Sequence, residues 1–214
     1  GDVLSFALLA ISSILIIINP LGATLIYVSL TTTLDRSARD LIARDACRFA
    51  AFILLFVAVL GAWILQLFGI SLEAFRIAGG ILLFGIGMEM VYARTSRTKL
   101  TATEKYESRD TDDIAIMPIA IPMIAGPGAI TTTIVLMNEA VFLTPFAVGV
   151  VFVSIILSIV ITYYMMKNSD YIMSKIGQRE YRAINRLMGM LLIAIAVQFV
   201  LTGIRTAFPL LAGG

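Results

Sequence analysis

The sequence predicts an all-α integral membrane protein whose six transmembrane helices form two inverted three-helix repeats. Its composition is the first reason: 59% of the 214 residues are hydrophobic and 14% are charged, whereas soluble domains average about 25% charged residues. The second reason is a set of six apolar runs, most of them near the roughly 20 residues that a helix needs to cross a bilayer. These runs cover residues 3–30, 49–70, 77–93, 114–137, 141–166 and 187–206.

The third reason is that the two halves repeat the same order of features. With an offset of 107, Pro20 lies over Pro127 and Thr24 over Thr131; with an offset of 110, Arg76 lies over Arg186. Each half then contains a broken span, an unbroken span and a span that opens with Arg. Because three is an odd number of spans, the second half is expected to be inverted, as in many secondary transporters. The predicted organisation is a first repeat at 1–93, a cytoplasmic linker at 94–113 and a second repeat at 114–214.

The basic residues predict the orientation, because Lys and Arg are retained on the cytoplasmic side of a membrane. Fourteen of the sixteen lie in the connections that follow the first, third and fifth spans, and the other two are Arg76 and Arg205. Both termini are therefore expected outside the cytoplasm. The net charge of +2 reflects this asymmetry and gives no indication of nucleic-acid binding.

The missing residue types exclude several kinds of chemistry. The chain has no His and one cysteine, Cys47, so imidazole catalysis, an internal disulfide and a zinc cluster are excluded. No nucleotide-binding motif is present. We expect no catalytic residue, no metal ligand and no cofactor, with Cys47 an inert small hydrophobe rather than a reactive thiol. An enzyme is disfavoured because the predicted spans hold a single acid, Glu89, and no partner base.

The breaks in the first and fourth predicted spans lie at Asn-Pro-Leu-Gly, 19–22, and Gly-Pro-Gly, 126–128. Proline removes a helical hydrogen bond, and freed backbone groups are tolerated at membrane depth only against protein or a watery cavity. Two matched breaks thus predict a shared site near the midplane, although a single break is equally explained by packing. The amides at 22–24 and 128–131 would attract a carboxylate, and the carbonyls at 17–19 and 124–126 an ammonium group or a cation.

Other polar residues in the spans allow two interpretations. Glu89 is a candidate for ion coupling, because ionisable groups in spans are costly, but it lies close enough to Arg94 to reach the cytoplasmic interface. Thr131 shares a repeat position with Thr24 and is a candidate for the site. Thr132 and Thr133 are expected to bond to their own helix backbone. A passive channel for small solutes or ions is the alternative to a transporter, since broken helices also form selectivity filters.

Short motifs are spread over both halves. They are NPLG at 19–22, FGIS at 68–71, RIAGG at 76–80, AIPMIAGPGAI at 120–130, and NRLMGMLL with VQF at 185–199. In these motifs and their order the chain resembles the MarC family, also called UPF0056, of six-span bacterial and archaeal membrane proteins. After NPLG it departs from many members, with Ala23-Thr24-Leu25 in place of an Asn and a nearby Pro.

The resemblance implies a transporter of small neutral amino acids, glycine and alanine above all, in a prokaryotic inner membrane. A proton and a sodium ion are both candidates for the coupling ion. By motif, the resemblance places the substrate site at eight residues: Asn19, Pro20, Gly22, Gly126, Pro127, Gly128, Ala129 and Ile130. The repeat adds Ala23, Thr24 and Thr131 to this expected site.

Overall fold

The regular structure is entirely helical in the described residues, 2–31, 33–92 and 115–209 of a computed structural model, which confirms the all-α class. The predicted linker at 94–113 lies outside these residues. The elements are α1 (Asp2–Ile18), α2 (Pro20–Thr31), α3 (Arg36–Leu67), α4 (Leu72–Val91), a π-helical segment (Ala115–Ile124), α5 (Pro127–Leu143), α6 (Pro145–Lys167), α7 (Ser169–Lys175) and α8 (Gln178–Ala207).

Five helical stretches of the described chain are long and apolar enough to cross a membrane, which establishes a multi-pass membrane protein. They are Val3–Val28, Arg36–Leu67, Leu72–Val91, Pro145–Lys167 and Arg182–Ala207. The predicted span at 114–137 is not among them, because the chain there is divided between the π-helical segment and α5. Gly126 separates the two with an extended backbone, at φ −82° and ψ 177°. The described residues thus do not confirm six spans.

Helix α3 begins far earlier than the apolar run at 49–70 predicted. It starts at Arg36, so the basic stretch expected as a connection is helical. The reason is a stripe of small buried residues on one face of the helix, among them Ala43, Ala46 and Ala50. These residues recur at the three- to four-residue spacing of a helix face. Because basic residues lie between them, this part of the helix did not stand out as an apolar run. Helix α8 likewise begins at Gln178 rather than 187, after the short helix α7.

Close packing of α4 against α8 depends on glycines. A Cβ at Gly87 would lie 2.9 Å from the carbonyl oxygen of Gly189, and one at Gly80 would lie 2.8 Å from that of Ala196. Further along, a Cβ at Gly203 would lie 2.6 Å from the Cγ1 of Ile77. The contacts run in opposite directions along the two helices, so α4 and α8 are antiparallel. Small residues let membrane helices approach this closely.

Candidate functional site

The first interruption is confined to a single residue, Asn19. Its φ of 50° is left-handed, a conformation that Asn tolerates better than most residues. Its side-chain Oδ1 accepts a hydrogen bond from the Gly22 amide at 3.1 Å, and its carbonyl accepts one from the Ala23 amide at 3.0 Å. The Thr24 hydroxyl donates to the Pro20 carbonyl at 2.7 Å. The amides of Gly22 and Ala23, expected to face a ligand, are therefore already bonded within the chain.

The second interruption differs from the first because no side chain among the described groups caps the start of α5. Gly126 precedes the helix with no side-chain cap, and Pro127 occupies its first turn. The first helical hydrogen bond of α5 is the one that the Ile130 amide donates to the Gly126 carbonyl at 3.0 Å. First-turn amides have no partner within their own helix, so Gly128 and Ala129 present N–H groups at this point. Both residues are buried, which places these donors inside the protein.

The structure brings the two interruptions together. A Cβ at Gly128 would lie 3.4 Å from the Cγ2 of Ile17, two residues before Asn19, and 2.5 Å from the Cδ2 of Leu83. The ends of α1 and α5 therefore meet beside α4. Among the expected site residues whose burial is described, seven are buried and three are half-buried. The buried ones are Gly22, Ala23, Thr24, Gly126, Gly128, Ala129 and Thr131, and the half-buried ones are Asn19, Pro20 and Ile130.

Three buried hydroxyls near this region make no hydrogen bond to any described group. They belong to Thr132 and Thr133 on α5 and to Ser158 on α6. The expectation that both threonines bond to their own helix backbone is therefore wrong. Leaving a buried hydroxyl unpaired costs about 1–3 kcal/mol, so these groups are available for a bound polar molecule. Ser158 escaped the sequence reasoning because a single Ser in an apolar helix carries no local signal.

Glu89 lies away from the two interruptions. It is exposed and sits in the last turn of α4, two residues before the helix ends at Val91. An exposed carboxylate in the last turn of α4 fits the interfacial interpretation, and a role of Glu89 in ion coupling stays a prediction.

Two ion pairs that the sequence reasoning missed join residues far apart in the chain. Arg39 donates to both carboxylate oxygens of Asp170, at 3.0 and 3.3 Å, and its carbonyl accepts the Tyr27 hydroxyl at 2.8 Å. Arg76 donates to the Glu139 carboxylate at 2.6 Å. Their sequence separations of 131 and 63 residues exceed any spacing from which local patterns predict a contact.

Comparison with known proteins gives one consistent family. The family model described as MarC family integral membrane protein matches residues 4–208. Among relatives, the UPF0056 membrane protein MJ1677 of Methanocaldococcus jannaschii is 42% identical over 95% of this chain and 98% of its own length. YvbG of Bacillus subtilis is 36% identical over 97% and 98%, and YhcE of Escherichia coli is 35% identical over 90% and 89%.

No solved structure matches the chain, so the family rests on sequence. The matched segment includes both interruptions and extends through all of α8, and relatives occur in both bacteria and archaea. The chain therefore belongs to the MarC family of integral membrane proteins.

Proposed function

We propose that this protein is a secondary transporter of small neutral amino acids, of the glycine and alanine type. The substrate binds between the interruptions at Asn19 and Gly126, near the membrane midplane. In this proposal the interrupted segments belong to two inverted repeats of three spans each, in an inner membrane with both termini outside the cytoplasm. The observation that carries the proposal is the buried, uncapped start of α5 in contact with the end of α1.

The start of α5 is suited to a carboxylate. The N–H groups of Gly128 and Ala129 point along the helix axis towards the N-terminal end of α5. The partial positive charge of the helix dipole is greatest at this end. Backbone amides and this dipole together form a common anion site. Glycine at 128 also adds no side chain of its own that would keep a ligand from the backbone.

The end of α1 is suited to an ammonium group. Pro20 has no N–H, so the carbonyl of Ile16, four residues earlier, lacks its helical donor. The Ile17 side chain lies against Gly128, which places this freed carbonyl end close to the start of α5. A carboxylate site and an ammonium site side by side complement a zwitterion.

The packing around Gly128 limits the size of that zwitterion. The 2.5 Å between a Cβ at Gly128 and Leu83 shows that even one methyl group there requires the leucine to move. Interiors are packed as densely as organic crystals, so a ligand with a large side chain would displace the neighbouring helices. Glycine and alanine need the least displacement.

The test is glycine binding to purified protein, followed by transport in proteoliposomes. Gly128→Ala adds a methyl group that a flexible Leu83 can accommodate, so the fold is retained and glycine affinity should fall by about tenfold, the effect of one lost charge-assisted hydrogen bond. Gly149→Ala is the matched control, because a Cβ there meets no described atom within 4 Å. Equal affinity in the two variants, or no saturable binding by the native protein, would overturn the proposed site.

The transport measurement separates a carrier from the channel alternative. Unlabelled glycine inside the vesicles should accelerate entry of labelled glycine, because a carrier returns to the outside faster when loaded. Entry that does not saturate and is not accelerated would indicate a channel. Repeating the assay with and without sodium and at two pH values identifies the coupling ion, and Glu89→Gln shows whether that carboxylate contributes to any dependence on pH.

A further inference from the structure

A cavity with charged residues in its wall lies apart from the two interruptions. It has a volume of about 500 Å³ and is lined by residues of α4, α5 and α8. Its polar lining consists of Glu73, Arg76, Asn138, Glu139 and Thr206. By the predicted orientation this outer cavity opens on the side away from the cytoplasm. One water molecule occupies about 30 Å³, so the outer cavity has room for a small solute with several waters.

Arg76 is the buried charge of this outer cavity. The residue is 6% exposed, and its Nη2 donates to the Oε1 of Glu139 at 2.6 Å. Its Nε makes no hydrogen bond to any described group. A guanidinium has five N–H donors in a planar fork that matches a carboxylate, and here the bond to Glu139 leaves part of that fork unused. Because that Nε is itself buried, a second carboxylate would reach the guanidinium as the bond to Glu139 opens.

Both signs of charge meet in the outer cavity. The Glu139 side chain is 35% exposed, and Glu73, also in the lining, forms no ion pair with any described residue. A free anion would therefore face two carboxylates, and a free cation would face Arg76. A small molecule with one carboxylate and one ammonium group complements Arg76 and Glu139, the two members of the ion pair, and does not neutralise Glu73.

We propose that the outer cavity is an entry site for the transported amino acid, with the substrate carboxylate on Arg76 and its ammonium group on Glu139. This inference rests on the proposed function and names a second site for the same substrate. The arriving zwitterion replaces the ion pair between α4 and α5 with two pairs to itself. The amide of Asn138 supplies neutral hydrogen bonds at the wall.

Site-specific labelling tests the entry site directly. Thr206 is exposed at the wall of the outer cavity, so Thr206→Cys in a Cys47→Ala background provides one reactive thiol there. The rate of its reaction with a maleimide is measured on the full chain with glycine, acetate or methylammonium. Glycine should slow labelling at least about fivefold. Acetate and methylammonium each carry one of the two charges of glycine, so they should slow labelling only at much higher concentration than glycine.

Changes at the ion pair distinguish a binding role from a packing role. Arg76→Gln should weaken protection by glycine about tenfold, as expected for loss of a charge-assisted hydrogen bond. Glu139→Gln should weaken protection by glycine to a similar extent but strengthen protection by acetate, because it frees the Arg76 guanidinium. Arg205→Gln is the matched control, an exposed arginine outside the lining, and should change neither. If Arg76→Gln does not fold, the opposite effects of Glu139→Gln decide the question.

The outcomes separate this inference from the proposed function. In a Gly128→Ala background, protection of the cysteine should remain, because the outer cavity does not need the midplane site. Protection that disappears in Gly128→Ala and persists in Arg76→Gln would come from a conformational change and overturn the entry site. Glycine binding by the native protein without any protection would overturn the entry site alone, whereas absence of both would overturn the proposed function as well.

Discussion

Replacing Gly79 by alanine should disrupt the contact between α4 and α5 that positions the candidate site. A Cβ at Gly79 would overlap the Cγ2 of Thr131 and lie 2.9 Å from its Cβ and 3.0 Å from its Oγ1. Thr131 is 3% exposed and belongs to the first turns of α5, immediately after the buried amides. Its β-branched side chain has few alternative rotamers in a helix, so the threonine cannot turn away from the added methyl group.

The magnitude follows from comparison with Gly85 in the same helix. A Cβ at Gly85 would meet no described atom within 4 Å, so Gly85→Ala gains the helix propensity of alanine, about 1 kcal/mol, with no clash. Gly79→Ala gains the same propensity and adds the cost of overpacking, about 1–3 kcal/mol. The two variants should therefore differ by about 1–3 kcal/mol in free energy of unfolding, a factor of roughly 5–150 in the unfolding equilibrium.

The assay is unfolding of the purified variants in mixed micelles by a denaturing detergent, followed by circular dichroism, with glycine binding measured on the folded samples. We expect Gly85→Ala to unfold at a higher detergent fraction than Gly79→Ala. Glycine affinity should fall in Gly79→Ala and stay unchanged in Gly85→Ala, because only the first displaces Thr131. Equal stability of the two variants would refute the close contact, and unchanged glycine affinity in a destabilised Gly79→Ala would refute its link to the site.

Three further changes test other parts of the structure. Asn19→Ala loses the side-chain bond to Gly22 and keeps the strained left-handed backbone, so it should lower the free energy of unfolding by about 2–4 kcal/mol. Asn19→Gly should recover the share of this loss that comes from backbone strain, as measured in the same unfolding assay. Tyr27→Phe removes the donor to the Arg39 carbonyl and should cost about 1 kcal/mol; no shift in the unfolding midpoint would contradict that bond. Cys47 is 4% exposed, so the native protein should react with a maleimide no faster than it unfolds, and rapid labelling in folded protein would show that this part of α3 is accessible.

Sequence patterns reached the fold class because a membrane imposes a simple length and polarity rule. Apolar runs predicted the long helices, but their boundaries were wrong wherever one helix face was polar. The start of α3 at Arg36 shows why: a helix with small buried residues on one face and arginines on the other is not an apolar run. At Gly126 a proline and two glycines predicted a break, yet its form, a π-helical segment before an uncapped helix, depends on packing.

The candidate residues follow from sequence patterns, because proline and glycine act through the backbone at their own positions. The sequence singled out Asn19, Pro20 and Gly126–Gly128 before any contact was known, and its motifs indicated the MarC family. Tertiary structure was needed to show that α1 ends beside the start of α5. It also decided that Arg76 meets Glu139 in a cavity, since a pairing across 63 residues is set by how helices pack and leaves no local pattern in the chain.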